Sequence, residues 1–204
     1  MRSLLTLVAV LSVASSFGGE FNKTLSVGDP APEWKDLEGT DGKKHSLTDL
    51  KGKDVVVVVF TCNSCPVAQG YEPRIVQFTK SHAGNGSKVA VVAINVNTGK
   101  ADALPAMKER AEKKKLPYPN LYDPTQEIAR KYGALYTPEF IVLNKDRKVA
   151  YLGAMDDKAP PGEAKVNHLE AAVKAVLAGT TPQKAETSAA AGCRIKFDAK
   201  KKDD

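Results

Sequence analysis

Cys62-Asn63-Ser64-Cys65-Pro66 places two thiols at a spacing that suits reversible disulfide chemistry. Val55 to Phe60 precedes them as an unbroken apolar run, mostly β-branched, the pattern of a central strand covered on both faces. From Ser64 to about Lys80 the period is helical, with Val67, Tyr71, Ile75 and Phe78 recurring at three and four residues. The pair therefore sits where a buried strand turns into a helix, and its sulfurs can meet across one helical turn. Free backbone donors and the helix dipole at that junction stabilise a thiolate. A stabilised thiolate is a populated nucleophile and a good leaving group. Cys62 is therefore the expected attacking thiol, with a pKa below that of free cysteine. Cys65, one turn deeper and less exposed, is the expected resolving thiol.

Other uses of two cysteines have to be weighed. So small a ring gains little loop entropy, which makes a purely structural disulfide a poor explanation. Zinc asks for a second pair of ligands, and His45, His82 and His168 are isolated from one another. Copper is softer and can use two thiolates with one His or Met, so a copper-binding module stays open as an alternative. No metal site and no cofactor is expected on the main reading. The chain has three cysteines, and the odd one, Cys193, lies in the C-terminal tail between Gly192 and the apolar Ile195 and Phe197. If that tail docks, Cys193 becomes an additional resolving thiol; otherwise it stays unpaired or links two chains.

The elements that position these residues follow in order. Glu33 to Leu37 and Lys44 to Leu47 flank Gly39-Thr40-Asp41-Gly42, a hairpin pattern. Val89 to Ile94 is a second buried strand, and Ala103 to Lys115 is an amphipathic helix with Pro105 in its first turn. Asp123, Pro124 and Gln126 read as a capped helix start, with Gln126 closing a capping box and Gly133 ending the helix. Phe140 to Leu143 and Val149 to Leu152 are strands joined by a polar turn, and Val166 to Leu177 is the last helix. Pro73 inside the first helix predicts a kink. Strands alternating with helices and closing in a hairpin predict one α/β domain, a mixed sheet covered on both faces.

The ends and the charge bound the setting. Arg2, the apolar stretch from Leu4 to Val13 and the small residues up to Gly19 describe a secretory signal peptide over 1–19. The domain then covers 26–180, and 181–204 is a tail carrying Cys193. Export puts the thiols in an oxidising compartment. The net charge of +6 is spread along the chain, and its densest basic runs, Lys113 to Lys115 and Lys200 to Lys202, lack interleaved aromatics. Nucleic acid is therefore not an expected partner, nor is a membrane once the signal is removed.

Thr137-Pro138 directly before a buried strand is unusual unless the bond is cis, although a trans proline opening a strand is the plain alternative. Taken together, strand, C-x-x-C-P, helix and Thr-Pro resemble the thioredoxin superfamily. Gly28-Asp29-Pro30-Ala31-Pro32, the hairpin and Leu47-Lys51-Gly52-Lys53 resemble its redoxin branch, which includes peroxiredoxins and exported thiol–disulfide oxidoreductases. Phe60 to Pro66, Leu121-Tyr122-Asp123, Thr137 to Phe140 and Gly192-Cys193-Arg194-Ile195-Lys196-Phe197 are similar to a peroxiredoxin-like group with C-N-x-C-P and a terminal G-C-x-I-K-aromatic.

The resemblance implies a thioredoxin-like three-layer sandwich with an N-terminal β-hairpin and a cis Pro138 beside the thiols. It implies that backbone at Thr137 pairs with an extended substrate segment. Thr137, Pro138, Asn63 and Ser64 are thus the substrate-binding candidates. The chain departs from the pattern at Thr61, where thioredoxins place Trp, and at Val55 to Val59, where they bury an Asp. It departs again at Tyr136, where many of the close group have Cys. A peroxidase would need Thr three residues before the attacking Cys, where Val59 stands, and a partner Arg. The expected function is an exported, periplasmic or secreted, thiol–disulfide oxidoreductase. Its partners would be protein thiols or disulfides and a separate redox partner. Thiol peroxidase is the alternative.

Overall fold

The computed structural model describes residues 19–189 and 191–199. Seven strands form one mixed sheet: β1 (Leu37–Gly39), β2 (Lys44–His45), β3 (Val55–Thr61), β4 (Val89–Asn95), β5 (Asn120–Tyr122), β7 (Glu139–Leu143) and β8 (Val149–Gly153). They lie in the order β2-β1-β5-β4-β3-β7-β8. β3 is parallel to β4, and β4 to β5, while β7 runs antiparallel to β3 and β8 to β7. A separate two-stranded ribbon joins β6 (Tyr136–Thr137) to β9 (Cys193–Arg194).

The valine run of β3 explains the layering. Strand side chains alternate between faces. Val55, Val57 and Val59 pack with Tyr71, Ile75 and Phe78 of α1 (Pro66–His82) and with Leu169, Ala172 and Val173 of α4 (His168–Leu177). Val56, Val58 and Phe60 pack on the opposite face with Trp34, Leu47 and Ile128, Ala129 and Tyr132 of α3 (Glu127–Tyr132). All six β3 residues from Val55 to Phe60 are fully buried. An uninterrupted apolar strand is the sequence that such two-sided burial requires. α2 (Leu104–Lys114) buries Met107 and is tied to α1 by a paired Arg110–Glu72 contact at 2.5 and 2.8 Å.

Local differences from the sequence reading have physical causes. α1 begins at Pro66 with Cys65 as its cap, two residues later than the sequence pattern placed its start. α3 starts at Glu127, after Gln126 in a left-handed conformation at φ 61°. Gln126 closes no capping box; its amide turns inward instead. Asp123 still serves the helix start by accepting from Ile128 N at 2.8 Å. α4 starts at His168, capped by Asn167 accepting from Glu170 N at 3.0 Å.

The C-terminal segment packs on the domain from well before Cys193. Leu152 N donates to Ala185 O at 3.1 Å and Thr187 N to Leu152 O at 2.9 Å. The Glu186 carboxylate accepts from the backbone N–H groups of Glu20, Phe21 and Asn22. The start of the described chain and residues 185–187 are therefore fastened together beside β8. The expected signal segment, apart from Gly19, lies outside the described residues.

Candidate active site

β3 ends at Thr61 and delivers Cys62 to the edge of the core; α1 begins four residues later. Cys62 and Cys65 are 4% and 2% exposed, in the depth order expected. Thr137 lies against both. Its hydroxyl is 3.2 Å from Cys62 Sγ, and its carbonyl oxygen is 3.3 Å from Cys65 Sγ. The Thr137–Pro138 peptide is cis, as the resemblance implied. Pro138 follows the residue that touches both sulfurs and leads directly into β7.

The disulfide present is Cys65–Cys193, and Cys62 is the free thiol. The expected Cys62–Cys65 bond is thus replaced by one reaching 128 residues along the chain, with Cα atoms 5.9 Å apart. The cause is tertiary: β9 pairs antiparallel with β6, setting Cys193 opposite Thr137 and Arg194 opposite Tyr136. Extended backbone at this edge presents its sulfur to the one that caps α1.

The chemical state of Cys62 differs from the sequence expectation. Burial pushes its thiol pKa up, and the nearby negative charge of Asp102 acts in the same direction. Hydrogen bonds from the Thr137 hydroxyl, the Cys65 backbone and the Ser64 hydroxyl oppose the rise without overcoming it. The helix end does not stabilise a Cys62 thiolate, for a geometric reason. Cys65, not Cys62, caps α1, and Cys65 Sγ accepts from Ala68 N at 3.4 Å. Asp102 Oδ1 takes the next two donors, Asn63 N at 2.5 Å and Ser64 N at 3.1 Å.

Asn63 braces the loop, since Nδ2 donates to Ala101 O at 2.9 Å and its carbonyl accepts from Gln69 Nε2 at 2.6 Å. Ser64 is exposed, and its hydroxyl lies 3.9 Å from Cys62 Sγ. A cavity of about 530 Å³ opens beside the sulfurs, lined among others by Cys62, Ser64, Asp102, Cys193 and Arg194.

Three residues hold the site in roles for which the sequence carries no signal. Asp102 is 2% exposed and also accepts from Asn95 Nδ2 at 3.2 Å, so it ties the Cys62 loop to the end of β4. Gln126, 1% exposed, donates to Val96 O and Lys196 O, each at 2.9 Å, and accepts from Asp198 N at 2.7 Å. Arg130 stacks over the Phe197 ring at 4.4 Å and donates to Asp198 O at 2.7 Å. Each sits in a polar stretch far in sequence from what it touches.

The Redoxin family model matches residues 26–173. Among curated proteins, thiol-disulfide oxidoreductase ResA of Geobacillus thermodenitrificans is 25% identical over 154 residues, 73% of this chain and 83% of that protein. An uncharacterized conserved protein from Geobacillus kaustophilus superposes with TM-score 0.77 at 32% identity, covering 88% of this chain and 96% of that one. A hypothetical protein from Sinorhizobium meliloti matches with TM-score 0.77 at 29% identity, covering 88% and 98%. A putative thiol:disulfide interchange protein DsbE from Chlorobium tepidum matches with TM-score 0.53 at 25% identity, over 63% and 84%. With its mixed sheet between two helical layers and cysteines converging where β3 meets α1, this chain has a thioredoxin-like fold and belongs to the Redoxin family.

Proposed function

We propose that the protein is a thiol–disulfide oxidoreductase that exchanges disulfides with protein substrates through Cys62, Cys65 and Cys193. The observation that carries this reading is the convergence of a free thiol, Cys62, and a disulfide, Cys65–Cys193, on the single residue Thr137. A thiolate beside a disulfide exchanges with it without any other reagent. Cys62 attacks an external disulfide, Cys65 resolves the mixed disulfide, and Thr137 and Pro138 shape the edge along which a substrate segment lies. Asn63 fixes the loop between the thiols, and Ser64 faces the incoming substrate.

The relatives named as thiol–disulfide oxidoreductases support the class of reaction. Two observations count against a peroxidase reading. Val59 is a buried β3 side chain, and Arg110, which lies within electrostatic range of Cys62, is already paired with Glu72. The sequence of residues 1–19 supports export to a periplasmic or extracellular compartment, where disulfides form and persist. Among the described residues no helix is long and apolar enough to cross a membrane.

The test is a stoichiometric reaction of the reduced full chain with a disulfide-bridged peptide, followed by linkage mapping. Transfer of the disulfide to the protein, lost in Cys62→Ser, is the expected result. Full transfer in Cys62→Ser would refute the role of Cys62. N-terminal sequencing of protein recovered from outside the cytosol checks the export reading, with a start near Gly19 expected.

A further inference from the structure

The segment 192–198 is built into the site. Gly192 passes so close to β6 that an added Cβ would lie 2.5 Å from Thr137 O. Ile195 N donates to Leu135 O at 2.8 Å, and the Ile195 side chain is 4% exposed within the core. Lys196 O and Asp198 N are held by Gln126, Asp198 O by Arg130, and Asp198 Oδ2 by the Thr98 hydroxyl at 3.1 Å. This is the pairing mode by which an extended peptide adds to a strand edge, with backbone bonds for affinity and alternate side chains in pockets. The strand added here carries a cysteine and is disulfide-linked to the reactive pair. In this closed form Cys62 is buried and Cys193 is only partly covered.

We infer that residues 192–198 are an internal substrate strand, and that storing the disulfide on Cys65–Cys193 closes the β6 edge, so that the enzyme works in the direction that reduces disulfide-bearing protein segments. The inference rests on the thiol-exchange reading above and adds the direction of electron flow. An enzyme that oxidises others must bind reduced substrate while it is itself oxidised. Here the oxidised form has its substrate edge occupied by its own tail. An enzyme that reduces others must bind when it is reduced, the state in which the tail is released from its covalent lock.

The steps balance without a further oxidant. Cys62 thiolate attacks one sulfur of the substrate disulfide, forming a mixed disulfide and releasing one substrate thiolate, which takes up the proton that Cys62 gave up. Cys65 thiolate attacks Cys62 Sγ, forming Cys62–Cys65 and releasing the second substrate thiolate, protonated from Cys65. Cys193 thiolate attacks Cys65 Sγ, forming Cys65–Cys193 and returning Cys62 as a thiol with the Cys193 proton. The net change is one substrate disulfide reduced to two thiols and two protein thiols oxidised. An external dithiol resets the protein by attacking Cys193, the partly exposed end of the bond, and leaves as a disulfide.

The test uses full-length protein in two directions: reduced protein with a disulfide-bridged peptide, and oxidised protein with the same peptide as a dithiol. Wild type, Gly192→Val and Cys193→Ser are compared. Wild type should reduce the peptide and end as Cys65–Cys193. A tethered competitor acts at an effective concentration in the millimolar range, so oxidised Gly192→Val should oxidise the dithiol peptide about tenfold or more faster than oxidised wild type. Cys193→Ser, which cannot lock the tail covalently, should behave the same way and serves should Gly192→Val not fold. Equal peptide-oxidation rates in wild type and both variants would overturn the inference, as would a wild-type product that remains Cys62–Cys65. No exchange in either direction in any of the three proteins would instead overturn the thiol-exchange reading on which it stands.

Discussion

Replacing Gln126 by Met should move the disulfide from Cys65–Cys193 towards Cys62–Cys65. Met is unbranched and similar in length, so it fills the same buried space without the amide. Gln126 makes three hydrogen bonds, but only two reach the tail, to Lys196 O and from Asp198 N. The third, to Val96 O, is lost whether or not the tail is docked, and it cancels from the comparison. A neutral hydrogen bond contributes about 0.5–1.5 kcal/mol net, and exposure of Asp198 argues for the lower half of that range. Two such bonds give about 1–2 kcal/mol of tail docking. At 1.4 kcal/mol per tenfold, the partition between the two disulfides should shift by about 5- to 30-fold. The two forms contain the same number of thiols, so the potential of a glutathione buffer does not enter their ratio. The assay equilibrates full-length protein in that buffer, quenches with acid, blocks free thiols and measures both linkages by mass spectrometry. An unchanged ratio in a folded variant would refute the argument that Gln126 clamps the tail.

Asp102 and Thr137 act on Cys62 with opposite sign, and in the oxidised protein Cys62 is the free thiol. Alkylation at a fixed, mildly alkaline pH should therefore be faster in Asp102→Asn and slower in Thr137→Val, with the pH profile shifted down and up respectively. Glu139 is buried, and burial holds its carboxyl above the ordinary glutamate value despite hydrogen bonds from Leu135 N and Tyr136 N. A raised folded-state pKa means stability present at low pH and lost as pH rises through the raised value. Glu139→Gln should thus melt higher than wild type at about pH 7 and gain nothing at about pH 4, by calorimetry. Hydrogen peroxide should oxidise reduced protein no faster than an ordinary thiolate of the same pKa, because Val59 stands where a peroxidase needs Thr and Arg110 is paired with Glu72; stopped-flow rates orders of magnitude higher would restore the peroxidase reading.

The features legible in the sequence alone are local and periodic. The valine run of β3 reads as a two-sided central strand, the spacing after Cys65 as a helix leading away from it, and C-x-x-C at their junction as a pair suited to thiol exchange, with copper the alternative. The apolar Ile195 and Phe197 beside Cys193 left docking of the tail open. Tertiary structure decided the rest, because the deciding contacts join residues far apart in the chain. Which sulfurs are bonded depends on β9 finding β6, a pairing across 56 residues that no local pattern encodes. The protonation of Cys62 depends on burial and on Asp102, whose carboxylate occupies donors that the sequence assigned to a thiolate. Gln126 looked like the end of a capping box, since its sequence position is identical for both roles. Only the left-handed turn at its backbone sends the amide inward, to hold the strand that closes the site.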